Sequence, residues 1–265
     1  MDSSPFSYTG TELDALTEAK NYYRWVIDRF EPFLGKRVIE VGAGIGTFSQ
    51  SLLTDTAIAE LVMVEPGENL FPLLQQRFAN EPRATVVHGY FQDLEAGATA
   101  DSVVLVNVLE HVSEDMVLLG DVNEVLVPGG TLLLLVPALS WIYGTLDDAF
   151  GHHRRYDKTS LASKLQTTGF QLLHLSYLNL PGIVGWWLTG RVLRCRTLKP
   201  RQVRLYDRWV IPWLSKLEAR WQPPFGQSLL AVARKAGARV PTSRQESVTF
   251  GGHPPRDSFV ERPHA

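Results

Sequence analysis

The chain has 265 residues with one cysteine, Cys195, so an internal disulfide framework and a cysteine-rich metal site are both excluded. At 45% hydrophobic and 20% charged residues the composition is that of an ordinary globular protein, and the length suits one large α/β domain with an insertion. The net charge of −2 hides a split: residues 1–150 hold 7 basic and 22 acidic side chains, residues 151–265 hold 19 and 6. Such asymmetry suggests an anionic partner for the second half, or two halves that complement each other.

The first ten residues, MDSSPFSYTG, have neither a basic n-region nor an apolar run, so no secretory leader is expected and the protein is read as cytoplasmic. Residues 11–34 predict a helix capped by Thr11, with Leu13, Leu16, Ala19, Tyr23, Val26 and Phe30 at helical spacing. Strands and helices then alternate. Arg37–Val41, Leu61–Glu65, Ala84–His88, Ser102–Asn107 and Thr131–Val136 read as strands. They are continuous apolar runs, the pattern of a parallel sheet covered on both faces. Asp115–Leu126 reads as a helix closed by a Pro128-Gly129-Gly130 turn. Lys158–Thr168 follows as a helix, with later strands at Phe170–Leu175 and Ser228–Arg234.

The segment Leu172–Leu188 is the most apolar, but His174, Asn179 and Pro181 interrupt it, so it is not a membrane span. Residues 178–226 hold five of the seven tryptophans. Val203, Tyr206, Val210, Trp213, Leu217 and Trp221 recur there at helical spacing between Arg204, Arg208, Lys216 and Arg220, with a kink expected at Pro212. This region reads either as a cap over the sheet or as a surface for an anionic membrane. The expected organisation is a helical N-terminal cap (1–35), a core (36–177), the aromatic and basic insertion (178–226), the last strand of the core (227–237) and a flexible tail (238–265).

The turn after the first strand reads Glu40-Val41-Gly42-Ala43-Gly44-Ile45-Gly46. Glycines at alternate positions between strand and helix permit a tight bend and close approach of a ligand. A dinucleotide site would read G-x-G-x-x-G, with amides aimed at a pyrophosphate. The tighter spacing, and the acid before it, suit S-adenosylmethionine (SAM), which has an α-ammonium and no phosphate. Glu65, 19 residues past Gly46, ends the second strand where a carboxylate can accept ribose hydroxyls. Phe91, Asp93 and Leu94 follow the third strand, and Asn107-Val-Leu-Glu-His-Val follows the fourth.

These landmarks, with the L-V-P-G-G-T turn, resemble the class I SAM-dependent methyltransferase superfamily over roughly residues 20–176 and the last strand. The resemblance implies a Rossmann-like α/β fold, with a seven-stranded sheet in the order 3-2-1-4-5-7-6 and an antiparallel seventh strand. It implies SAM as cofactor. Glu40, Gly42, Gly44 and Gly46 would hold the methionine end, Glu65 the ribose, Phe91, Asp93 and Leu94 the adenine, and the Asn107 backbone the cofactor.

Beyond the fifth strand, Gly151-His152-His153-Arg154-Arg155-Tyr156 resembles the G-H-x-R-R-Y segment of a subset of bacterial SAM methyltransferases. His152 or His153 is a candidate base, with Tyr156 and His111 as further catalytic candidates. Arg154 or Arg155 is a candidate for holding an anionic group of the acceptor, and Tyr143 and Tyr23 for contacting it. The alternative is a loop pinned by Arg–Asp pairs to Asp147 or Asp148. No metal site is read. The expected reaction is O- or N-methylation of a small-molecule or lipid-like, possibly anionic, acceptor. Nucleic acid has no recognition motif here. A NAD(P)-dependent oxidoreductase and a non-catalytic SAM-fold binding protein are the alternatives, the first lacking G-x-G-x-x-G and Tyr-x-x-x-Lys.

Overall fold

A computed structural model describes residues 6–10 and 12–236. Thr11 and the 238–265 tail lie outside them. Among the described residues, β1 (Arg37–Val41), β2 (Glu60–Glu65), β3 (Ala84–His88), β4 (Ala100–Val106), β5 (Leu126–Pro137), β6 (Phe170–Leu178) and β7 (Ser228–Lys235) form one sheet. Its order is 3-2-1-4-5-7-6. The first five strands are parallel, and β7 runs antiparallel to both β5 and β6.

Alternate residues of each strand feed opposite layers, as the period of two requires. Leu132, Leu134 and Val136 of β5 pack with helix α5 (Asp115–Val125) and helix α7 (Lys158–Thr167). Leu133 and Leu135 pack with α2 (Lys20–Phe30), α3 (Thr47–Asp55) and α4 (Phe71–Phe78). Both faces are covered, which explains why the strands read as unbroken apolar runs. The Pro128-Gly129-Gly130 segment is not a turn before the strand. It lies within β5 as an irregularity, the pairing jumping from Ala100–Leu126 to Ser102–Thr131, with Gly129 at φ 79°.

The expected single N-terminal helix is two helices, α1 (Glu12–Leu16) and α2. The first turn of α2 is capped from far along the chain: the Asn21 and Tyr22 amides donate to the buried Asp207 carboxylate at 3.0 and 2.8 Å. Asp207 belongs to the insertion, which consists of α8 (Gly182–Trp187) running into a π-helical turn (Leu188–Val192), α9 (Pro200–Trp209) and α10 (Ile211–Arg220). The kink expected at Pro212 is a break, with Pro212 in the first turn of α10.

The expected apolar face of this region divides in two. Val203, Tyr206, Ile211 and Leu214 pack toward the sheet and α2. Trp213, Leu217 and Trp221 face solvent. No helix among the described residues is long and apolar enough to cross a membrane.

Candidate active site

The carboxyl ends of β1, β2 and β4 meet around the glycine turn. Gly42, Gly44 and Gly46 all sit in the left-handed region, at φ 67°, 58° and 77°. A Cβ at Gly42 would come within 2.7 Å of Val108, and one at Gly46 would strike Phe78 and Leu74. At Gly44 a Cβ has ordinary contact, 3.5 Å from Leu13. The first and third glycines are therefore required by packing and the middle one by the backbone. The Gly44 amide donates to Glu65 Oε2 at 2.7 Å, and Gly67 donates to Oε1 at 2.8 Å, so the strand-end acid is tied to the turn. Burial raises its pKa, while these two amides lower it.

Glu40 is 3% exposed, and its Oε2 has no hydrogen-bond partner. Burial pushes its pKa up to about 8, partly offset by the Ser49 hydroxyl nearby. A buried carboxyl with an unsatisfied oxygen beside a glycine bend calls for a cationic ligand. Asn107 directly follows β4 with φ 53°, a left-handed conformation that asparagine accepts more readily than other non-glycine residues, and its amide is fixed on the Leu135 carbonyl at 2.8 Å.

These groups line a cavity of about 810 Å³, within the range of small-molecule sites. Tyr23 of α2 forms part of the wall, edge-on to Phe48 at 5.5 Å. After β3, Gly89, Tyr90, Phe91 and Gln92 line it. Asp93 and Leu94 do not. Asp93 Oδ2 accepts the Tyr90 amide at 2.8 Å, closing a capping box, and Leu94 packs on the core. Gly46, buried against α4, also lies outside the lining.

The G-H-H-R-R-Y segment divides sharply. Asp147, fully buried in the short helix α6 (Thr145–Phe150), is its hub. Oδ1 lies 2.8 Å from His152 Nδ1 and 2.7 Å from Arg155 Nε, while Oδ2 accepts the Gly144 amide and Trp186 Nε1, both at 3.0 Å. Burial raises the Asp147 pKa, but His152, Arg155 and Trp186 together hold it below the usual carboxylate value. Arg155 stacks on Trp186 at 4.7 Å and donates to the Ala138 carbonyl, leaving Nη2 buried without a hydrogen-bond partner. His152 and Arg155 line the cavity.

The other candidates of this segment do not. His153 is exposed, with its amide on the Glu110 carbonyl. Arg154 is paired with Asp115 at 2.8 Å and donates to the Ser113 carbonyl. Tyr156 is 1% exposed, its hydroxyl bonded to Asp115 and the Leu109 carbonyl, and it belongs to the core. The Tyr143 hydroxyl lies on Asp148 and the His152 carbonyl, positioning that loop. Arg154, Tyr156 and Tyr143 thus hold the segment in place through their side chains, and His153 through its backbone. His152 and Arg155 are three apart, so strand alternation would not put them on one side; this irregular segment bends, and both side chains converge on Asp147 Oδ1. Asp147 was legible only as a partner for arginine; its spacing of five from His152 was the overlooked clue.

His111 lines the cavity 4.9 Å from the His152 ring. Burial, reinforced by His152, pushes its pKa down to about 3, so it is neutral. Glu110, His111 and His152 each offer a donor atom within 4.8 Å of the others, a grouping with the composition of a metal site that spacing alone had not revealed.

Fold and site define a SAM-type α/β methyltransferase. The chain belongs to that family: the model for a methyltransferase domain matches residues 16–175. It is 28% identical over 137 residues to a tRNA U34 carboxymethyltransferase of Trichlorobacter lovleyi, covering 49% of this chain and 41% of that protein. Matches to curated relatives span between 23% and 53% of their lengths. Among solved structures, it is similar to a Haloferax volcanii putative methyltransferase complex with the Trm112 activator, with TM-score 0.59, 14% identity, and coverage of 85% of this chain and 94% of that one. It is also similar to a Haemonchus contortus phosphoethanolamine N-methyltransferase with phosphomonomethylethanolamine and S-adenosylhomocysteine, with TM-score 0.57, 16% identity, and coverage of 82% and 52%. At these identities the structures speak to the fold alone.

Proposed function

We propose that the protein transfers a methyl group from SAM to a hydroxyl or amine on a lipid-like acceptor, with His152 as the base. One observation carries this reading: a single cavity joins the Glu40–Gly44–Glu65 cluster to His152, which Asp147 holds from behind, and to a wall of apolar side chains. When bound, SAM supplies a methyl already activated by its positive sulfur. Glu40 fits the α-ammonium, since it is a buried acid lacking a partner for Oε2. Glu65 fits the ribose, its carboxylate already oriented by two amides. Phe91, with Tyr90 and Gln92, borders the adenine side, and the Asn107 backbone closes the edge.

The remaining work is alignment of the acceptor and removal of its proton. Alignment of reactants can contribute roughly 7–11 kcal/mol. Asp147 accepts from His152 Nδ1, which fixes the tautomer and leaves Nε2 to take a proton. Leu146, Phe150, Trp186, Leu198 and Val203 suit an apolar acceptor body. Residues 178–226 thus act as a substrate-binding insertion on the 36–177 core. RNA, the acceptor implied by the names of several relatives, is the second reading, favoured by the basic second half.

Methyl-labelled SAM incubated with a lysate divided into lipid, small-molecule, RNA and protein fractions tests the acceptor. Label in the lipid fraction is expected, and label confined to RNA overturns the reading. His152→Ala should lower turnover by about 10²–10⁴-fold with SAM affinity unchanged within about threefold. Unchanged turnover would remove His152 as the base. Loss of activity on EDTA treatment, restored by a divalent ion, would instead make the Glu110–His111–His152 group a metal centre.

Glu40 gives a pH prediction. Its folded pKa of about 8 lies above its reference value of 4.5, so the ligand-free fold retains a proton that the unfolded chain has released. This contribution to stability is complete below the lower value and lost as pH rises through the upper one. An ammonium ligand favours the ionised carboxyl, so SAM binding near neutral pH should release a proton. Affinity should rise toward pH 8, and calorimetry in buffers of different ionisation enthalpy measures both effects. Glu40→Gln should abolish the proton release and flatten the pH dependence; a dependence unchanged in that variant assigns it elsewhere.

A further inference from the structure

The two helices that roof the cavity carry a second, outward face. Leu205, Trp209, Trp213, Leu217 and Trp221 recur every fourth residue across α9 and α10, and all are exposed, Trp209 at 63% and Trp213 at 77%. Large apolar side chains in such a row are uncommon on a surface that meets only water. The exposed charges on these two helices are of one sign. Arg201, Arg208, Lys216 and Arg220 are exposed on the same helices. Arg208 lies over the Trp209 ring at 5.4 Å and Lys216 over Trp213 at 6.0 Å. Arg204 is held by Glu18.

The acids of these helices do not balance the cations, because both are turned inward. Asp207 caps α2, and Glu218 accepts the Asn179 and Leu180 amides at 3.1 and 3.0 Å. The outer face is therefore aromatic and cationic, with no exposed acid from residues 178–226.

We infer that this face docks the protein on an anionic phospholipid surface. Tryptophan suits the headgroup boundary, where one end of the ring is apolar and the other wet, and flanking Lys and Arg meet lipid phosphates. Charge complementarity selects an anionic partner, and the outward row of exposed indoles favours a lipid surface over RNA, which would be met by cations with stacking rings inside a groove. The inner sides of the insertion, Trp186, Thr189, Leu198, Val203 and Tyr206, line the cavity. A bilayer on the outer face thus lies one helix away from the acceptor site. The inference rests on the lipid-acceptor reading only for what enters that site; the docking test stands without it.

The test is co-sedimentation of the full chain with vesicles of equimolar phosphatidylglycerol and phosphatidylcholine, beside vesicles of phosphatidylcholine alone and a bulk RNA control. Partition onto the anionic vesicles is expected, weakening as salt rises from about 0.1 to 0.5 M. Trp209→Ala with Trp213→Ala should lower partition roughly tenfold or more. Arg208→Gln and Lys216→Gln should each lower it about fivefold, equivalent to ~1 kcal/mol per cation. Thermal melts of these variants should match the parent, because the side chains are exposed. Wild-type partition by the double tryptophan variant overturns the inference. So does binding to RNA in place of vesicles, or a stripe-dependent change in sedimentation of the protein alone, which would mark a self-association face. Vesicle binding with no label in lipid would retain the docking face and sink the acceptor reading.

Discussion

Gly44→Val should abolish measurable SAM binding, a loss of 100-fold or more, while the protein stays folded. The reasons separate cleanly at this position. Gly44 lies at φ 58°, where an L-residue costs about 1–2 kcal/mol and a β-branched one more. The added Cβ meets nothing closer than Leu13 at 3.5 Å, so no core contact is broken. For a domain of this size that cost is a fall in Tm of about 2–8 °C. The new side chain stands at the lip of the cavity, and a shift of this backbone disturbs the amide that holds Glu65. Gly46→Val is the contrasting variant. Its Cβ would collide with Phe78 and Leu74 in the core between α3 and α4, so it should unfold rather than simply lose ligand. Calorimetry with SAM and a thermal melt read the two apart. Native affinity in Gly44→Val would defeat the assignment of the turn to the cofactor.

The second large effect is expected at Asp147. Replacing it by alanine removes the partner of a buried arginine and three further donors at once. Breaking a buried ion pair from one side costs about 3–5 kcal/mol, because the remaining charge stays uncompensated. Urea denaturation should show that loss. Turnover should fall with it, since His152 would lose the group that fixes its tautomer. Asp147→Asn keeps the shape but offers one acceptor oxygen, so an intermediate loss is expected. The pH dependence follows from the depressed pKa of Asp147: its contribution is present above its reference value of 3.8 and disappears as pH falls through the lower folded value. A stability change under 1 kcal/mol in Asp147→Ala would show that the cluster relaxes and is no anchor.

Much of the framework was legible from residue order. Continuous apolar runs separated by helical periods specify a two-sided parallel sheet, because a strand buried on both faces has no polar position. The glycine spacing identified a bend with positive φ, and Glu40 and Glu65 fell at strand ends as the fold requires. Such features are local, written within a few residues of where they act.

What the tertiary structure alone decided is which of several adjacent polar residues reach the cavity. His152 and His153, or Arg154 and Arg155, are indistinguishable by type, yet one of each pair faces the site and its neighbour does not. The same holds for Trp213, Leu217 and Trp221, whose helical spacing matches Val203 and Tyr206 until the break before Pro212 turns them outward. Asp207 capping α2 and Asp147 holding His152 depend on long-range packing. Sequence specifies periodicity and backbone permission; the direction of a side chain is settled by what the rest of the fold brings against it, and a residue's own neighbours in the chain carry no record of that.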